Sequence, residues 1–417
     1  MQQPKALSPN IGIFGRRNSG KSSLLNFLLG YELALVSPVA GTTTDPVEKA
    51  LEVPKLGPAV FIDTAGFDDE GELGRLRVRK SEDKLDSVHL ALLVADGSWG
   101  EYEEHFAAIC RERQISLIVV WSKEDLKRPD PAIVDRLAGQ GLTQVSLSAR
   151  KGTGLDALIL AILHKLPEEA LAPPPMLRDL MPKGEICLFV APIDSSAPKG
   201  RLIVPQVQAL RDCLDGRQIS LVVQPEELAA ALAVLRHPPY LLVCDSQAVH
   251  ECARLAPADI RLTTYSILMA RLKGDLPTLA AGAAAILSLK EGDPICISEV
   301  CTHHAQPDDI GRVKIPALLR KFTGLNPDIH FAAGRDYPQD LSRFKLVIHC
   351  GGCMINRPLM LTRLAESGAS GVPITNYGLA ICLMQNVLER SLQIFPEALA
   401  AYKRAIQRNL GPAGNKA

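Results

Sequence analysis

At 417 residues the chain is long for one domain and comfortable for two or three, and its 47% hydrophobic content is enough for several cores. Lysine plus arginine equals aspartate plus glutamate at 46 each, so no bulk charge attracts a polyanion, which argues against a general nucleic-acid-binding role. The opening MQQPKALSPN lacks the apolar core of a secretory signal, and the richest apolar stretch, LPTLAAGAAAILSL, is too short to span a bilayer. A cytoplasmic protein without a membrane segment is therefore expected, in which the ten cysteines stay reduced and clustered ones suggest metal.

The first 165 residues alternate short apolar runs (AVFIDT, HLALLVAD, ISLIVV) with helical patterns, which predicts an α/β fold with a parallel sheet covered by helices. The first run, Asn10 to Phe14, leads into Gly15-Arg16-Arg17-Asn18-Ser19-Gly20-Lys21-Ser22-Ser23 and then the apolar-periodic LLNFLLG. This is GxxxxGK[ST] between a strand and a helix, the context a phosphate-binding loop requires. Glycines let backbone amides turn toward phosphates, and the helix N-terminus adds partial positive charge. Lys21 is expected on the β- and γ-phosphates and the Ser22 hydroxyl on magnesium.

Asp63-Thr64-Ala65-Gly66 follows the next strand, placing a carboxylate near the metal and the Gly66 amide near the γ-phosphate. Thr43, in Gly41-Thr42-Thr43-Thr44-Asp45, lies where a threonine closes over magnesium. Ser122-Lys123-Glu124-Asp125 and Ser148-Ala149-Arg150 follow two later strands, in the order of the guanine-reading motifs of a GTPase. The set resembles the potassium-stimulated, Era-like branch related to tRNA-modifying GTPases. The resemblance implies that Asn18 helps hold K+, that Thr43 is the magnesium threonine and that Asp125 reads the guanine N1 and N2 hydrogens. Ser122 departs from that pattern, which has an asparagine bonding the base and bracing the phosphate loop; a serine hydroxyl is shorter and offers fewer bonds. No glutamine follows Asp-Thr-Ala-Gly, so Asp69 stands with Lys21 as a catalytic candidate, to orient water in a slow, switch-like hydrolysis.

The G-domain is assigned to residues 1–168 and a proline-rich linker to residues 169–180. Residues 181–265 repeat strand-like EICLFVAP, ISLVVQP and YLLVCDS between helical VPQVQALRDCL and EELAAALAVLR, which predicts a second α/β domain with a mainly parallel sheet. No catalytic constellation is visible there, and Cys187, Cys213, Cys244 and Cys252 sit among apolar neighbours as small hydrophobes. Association, as a homodimer, is the expected role.

Residues 266–417 form the third predicted α/β domain. Cys301-Thr302-His303-His304 follows the strand-like ICISEV, and His349-Cys350-Gly351-Gly352-Cys353 follows FKLVI. In a parallel sheet, adjacent strand ends bring both groups to one edge, the usual place for a site. Soft thiolates there select zinc, copper or an iron-sulfur cluster. A structural zinc on Cys301, His303, Cys350 and Cys353 has the right ligand count. A 4Fe-4S cluster on the three cysteines is equally consistent with the residues.

The order of potassium-type GTPase, domain without a visible site, and CxH followed by HCxxC resembles the maturation GTPase of iron-iron (FeFe) hydrogenases across essentially the whole chain. That resemblance implies a dimeric scaffold with a 4Fe-4S cluster on Cys301, Cys350 and Cys353, with His303 and His349 as variable or neighbouring groups. It further implies receipt of a di-iron precursor from two radical S-adenosylmethionine enzymes and delivery to the FeFe hydrogenase catalytic subunit, with neither nucleic acid nor membrane as a partner. The rival reading is an RNA-modification or ribosome-assembly GTPase with a structural zinc module, against which the balanced charge counts.

Overall fold

In a computed structural model, the described residues are 8–30, 47–64, 84–172, 174–193, 202–300, 309–334 and 337–410. They fall into two compact units, Met1–Pro173 and Pro174–Ala417, divided within the proline-rich stretch. Among the described residues no helix is long and apolar enough to cross a membrane.

The first unit is built on a six-stranded sheet of order β2-β3-β1-β4-β5-β6. Its strands are β1 (Asn10–Phe14), β2 (Val47–Val53), β3 (Gly57–Asp63), β4 (Leu90–Ala95), β5 (Ser116–Trp121) and β6 (Thr143–Ser146). All pairs are parallel except β2 with β3. Helices cover both faces, so the central strands read as continuous apolar runs rather than alternating ones; all six residues of β4 are buried. Leu24, Leu25 and Leu28 of the helix Lys21–Gly30 pack onto one face, and Phe106, Ala107 and Cys110 of Glu101–Glu112 onto the other. Because β1, β4, β5 and β6 run the same way, the loops after them open at one edge, where a doubly wound sheet places its ligand.

The second unit holds two four-stranded sheets, both wholly parallel. One has the order β10-β9-β7-β8, from β7 (Ile186–Val190), β8 (Ile219–Val223), β9 (Leu241–Cys244) and β10 (Arg261–Thr264). The other has the order β12-β11-β13-β14, from β11 (Pro294–Glu299), β12 (Asp328–Ala333), β13 (Leu346–His349) and β14 (Ile374–Asn376). The central strands β7, β9, β11 and β13 are almost wholly buried, whereas edge strand β8 leaves Ile219 53% and Val222 44% exposed. Leading out of β10, the helix Tyr265–Lys273 is capped by Thr264, whose Oγ1 accepts the Ile267 N–H at 3.2 Å, and is buried along most of its length. The apolar stretch LPTLAAGAAAILSL becomes a buried helix, Leu276–Ala283, and a further turn of 3-10 helix.

Candidate functional site

The phosphate-binding loop joins β1 to the helix Lys21–Gly30. Gly15 has φ +148°, and a Cβ there would stand 2.3 Å from the Val94 carbonyl oxygen, so no side chain fits. Asn18 also has a left-handed backbone, φ +60°, which asparagine tolerates better than most residues. Lys21 is buried and its Nζ donates to the Gly15 and Arg16 carbonyls at 2.8 and 2.7 Å, holding the amine at the mouth of the loop. Ser22 Oγ donates to Asp63 Oδ2 at 3.2 Å. The other Asp63 oxygen is buried and lacks a hydrogen-bond partner among the described residues. Burial raises the Asp63 pKa, against the Ser22 bond and the Lys21 charge. A hydroxyl beside an unsatisfied buried carboxylate fits a hard divalent cation, and Mg2+ is the cation a GTPase domain uses there. Thr43, Gly66 and Asp69 lie outside the described residues.

The base site is assembled from the loops after β5 and β6. A cavity of 630 Å³ is lined by Gly20, Ser23, Ser122, Lys123, Asp125 and Ala149, among others. Asp125 Oδ1 accepts the Ser148 hydroxyl at 2.7 Å, a bond that lowers the carboxylate pKa and keeps it an anion at the cavity wall. Lys123 has φ +54° and its ammonium donates to the Asn18 carbonyl. Ser122 is 3% exposed, and its Oγ lies against the Ser19 carbonyl, with the Ala95 carbonyl at 3.2 Å. The serine therefore retains the bracing of the phosphate loop, although its one proton cannot also reach the base.

In the second unit, β11 and β13 are hydrogen-bonded neighbours, with Ser298 opposite His349. The loops after both strands consequently leave the same sheet edge. Cys301 and His303, on the loop after β11, lie outside the described residues, as does His304. The last described residue before them, Val300, donates its N–H to Cys350 Sγ at 3.3 Å. Burial raises the Cys350 pKa, opposed by the N–H groups of Gly352 and Val300. Gly352 turns the loop at φ +63°, where a Cβ would stand 2.6 Å from Met360 Cε. Among the described residues no three His, Cys, Asp or Glu side chains come together as a metal site. What β13 delivers is the half-buried pair Cys350 and Cys353.

His349 lies beside the cysteine loop. It is fully buried, its Nδ1–H donates to the Cys350 carbonyl at 2.7 Å, and its Nε2 accepts from Arg363 at 2.6 Å. Burial, then the Arg363 charge, pulls its pKa down to about 3. With both nitrogens in hydrogen bonds, His349 acts as a brace for the cysteine loop. In the segment that follows, Asn356 Oδ1 accepts the Leu359 N–H at 3.3 Å, and Arg357 donates to the Leu272 and Gly274 carbonyls at 3.1 and 2.9 Å.

Two residues that no sequence motif singled out close the site from below. Lys273, 2% exposed at the end of its helix, donates to the carbonyls of Gly352, Cys353 and Ile355 at 3.1, 3.0 and 2.5 Å. Burial lowers its pKa to about 8, with the thiols of Cys353 and Cys350 opposing. Arg363, 6% exposed, lies between His349 and the Tyr337 ring, 4.4 Å from the ring centroid. Two thiols three residues apart, an amide directed at one sulfur and two buried cations fit a thiolate-held metal group of net negative charge.

Comparison with known proteins follows the same division. Residues 10–123 match the family model of the 50S ribosome-binding GTPase, residues 176–274 that of the hydrogen maturase F dimerization domain, and residues 277–394 that of the hydrogen maturase F tetramerization domain. The tRNA modification GTPase MnmE of Burkholderia cenocepacia is 36% identical over 158 residues, and that of Aquifex aeolicus 38% over 157; each alignment covers 37% of this chain and 34% of the relative. The chain thus spans about a third of the length of these relatives. Among solved structures, a variant of Aquifex aeolicus Era bound to GDP and aluminium fluoride aligns over 59% of this chain and 97% of its own, at 22% identity and a TM-score of 0.33. The G domain of the T. maritima FeoB iron transporter covers 38% and 98%, at 23% identity and a TM-score of 0.30. The N-terminal unit is accordingly a P-loop GTPase domain, and the second unit carries the dimerization and tetramerization domains of one protein type. The chain belongs to the hydrogen maturase F family, with a GTPase domain ahead of that family's dimerization and tetramerization domains.

Proposed function

We propose that this protein is a GTP-switched scaffold that holds a 4Fe-4S cluster on Cys301, Cys350 and Cys353 and passes a di-iron precursor to the immature FeFe hydrogenase catalytic subunit. The observation that carries the reading is the Val300 N–H bond to Cys350 Sγ, because Val300 immediately precedes Cys301 in the sequence. When bound, a cluster with three thiolates supplies an iron whose remaining ligand exchanges, a place for a precursor to dock and leave. The protein's own part is to hold the thiols, to direct amides at sulfur and to exclude water with β13 and β14. The di-iron unit is cargo, and its suppliers on this reading are the radical S-adenosylmethionine maturation enzymes.

In the G-domain, Lys21, Ser22, Thr43, Asp63 and Gly66 serve the phosphates and Mg2+, Asp125 with Ser148 and Ala149 reads guanine, and Asn18 helps hold K+. Asp69 orients water. Lys21 acts on the transferred phosphoryl group. Nucleotide state alters contacts with the maturation partners, while the second unit does the carrying. Residues 181–265 support a homodimer, and the half-exposed edge of β8 is its natural seam.

The test is iron, acid-labile sulfide and an absorption spectrum on protein purified without oxygen. Iron and sulfide lost in the C301A/C350A/C353A triple variant support the carrier. One zinc per chain without sulfide, and no cluster after reconstitution, refute it and favour a structural zinc site.

A further inference from the structure

We infer that Lys273 and Arg363 form a buried pair of positive charges that offsets the net negative charge of the group held by the Cys350–Cys353 loop; this rests on the cluster reading above. An ammonium 2% exposed and a guanidinium 6% exposed lose most of their hydration, a penalty that only compensating charge or hydrogen bonds recover. Buried charges are ordinarily paired with carboxylates, yet among the described residues neither cation forms an ion pair with one; Glu366, one helical turn after Arg363, acts on it only from farther off, and the charges acting on Lys273 are the thiols of Cys353 and Cys350. The bonds they do make are to neutral acceptors: three carbonyls for Lys273, and for Arg363 the Nε2 lone pair of a His349 whose single ring proton is on Nδ1, facing the Cys350 carbonyl.

Neutral acceptors satisfy hydrogen-bonding capacity but leave the charge of Lys273 uncompensated and that of Arg363 offset only by Glu366 at longer range. What lies next to both cations is the thiol pair. Lys273 binds the carbonyls of Gly352 and Cys353 directly, and Arg363 reaches Cys350 through His349, which holds the Cys350 carbonyl. Thiolates on a metal group turn this arrangement into a closed account of charge, with cations below the loop and anionic sulfur above it. The two residues come from different elements, the helix Tyr265–Lys273 and the helix Arg357–Ala369, so no single local motif requires both. They are positioning residues, touching the loop rather than a substrate.

A fixed positive charge favours the more negative, reduced form of a cluster, so its loss moves the midpoint potential to more negative values. A purely structural clamp predicts something different: lower melting temperature and lower occupancy, with the remaining cluster unchanged in potential. The experiment is a redox titration of reconstituted, full-length protein, followed by electron paramagnetic resonance, for wild type, K273Q, K273R, R363Q and R363K. The expected result is a negative shift in both neutral variants, a potential near wild type in K273R and R363K, and a several-fold loss of reduced-cluster signal in K273Q and R363Q at a fixed reducing poise. Superimposable titrations in wild type, K273Q and R363Q overturn the inference. Should K273Q fail to fold, R363Q carries the test, since the three carbonyl bonds of Lys273 stay intact. Soluble K273R and R363K with insoluble K273Q and R363Q assign the pair to folding alone, which also overturns it. Wild-type protein that takes up no iron and sulfide refutes the cluster reading itself, a failure visible before any variant is compared.

Discussion

Replacing Ser122 by alanine removes one oxygen and nothing else. Its hydroxyl lies against the Ser19 carbonyl inside the phosphate loop, with the Ala95 carbonyl at 3.2 Å on its other side, and the residue is 3% exposed. Water has little access to replace it. A buried hydrogen bond contributes about 1 kcal/mol net, rising toward ~3 kcal/mol where its removal leaves a buried acceptor unmet. The Ser19 carbonyl precedes Gly20, Lys21 and Ser22, so a loosened peptide there misdirects the amides that face phosphate. If about 1 kcal/mol of that order is lost to the bound state, nucleotide affinity falls about fivefold. Titration of S122A with a fluorescent GDP analogue measures it directly, with circular dichroism checking that the unit stays folded. Affinity equal to wild type refutes the reasoning and leaves the Lys123 bond to Asn18 as the brace.

The remaining expectations concern other parts of the chain. His89 is held neutral by burial, down to about 4, with Nδ1 accepting the Asn10 N–H at 2.9 Å. The unfolded chain takes up that proton below about pH 6.5 while the folded one does not until about 4, so stability is present above the unfolded pKa and falls as pH drops between those values, by on the order of 3 kcal/mol; H89Q flattens that fall in denaturant midpoints measured from pH 7 to 4. Placing a charge at the half-exposed β8 edge, as in I219D, weakens association at unchanged far-ultraviolet dichroism, and a wild-type-like mass in light scattering shows that the seam lies elsewhere. GTP hydrolysis runs faster in K+ than in Na+, and N18A narrows the difference; equal rates in the two salts for wild type exclude the potassium site.

Much of this was legible because parallel α/β architecture writes itself plainly. Runs such as LALLVA and LIVV are apolar without alternation because both faces of those strands are covered, and each was readable as a buried strand. The phosphate loop was readable from residue spacing because its chemistry depends on local backbone. Strand β2 was not: VEKALEV has a polar residue at alternate positions only in part, and its antiparallel pairing with β3 is a property of the partner. Nor was the bond from Arg363 to His349, which joins a helix to the end of β13 across 14 positions of chain.

Lys273 marks the limit more sharply. In the local sequence it is one cation ending an amphipathic-looking segment, RLKGD, no different from a solvated lysine in a last helical turn, where the helix dipole favours it. Its acceptors lie 79, 80 and 82 positions later, in a loop whose shape depends on Gly352 and whose place depends on the order β12-β11-β13-β14. The same sheet order makes β11 the neighbour of β13 and so joins two separately weak cysteine motifs at one edge. A thiol pair therefore announces soft-metal chemistry in the sequence, whereas the charge environment that tunes it is written only in tertiary contacts. Variation at the two buried cations should accordingly change the electronic character of the site while every cysteine stays in place.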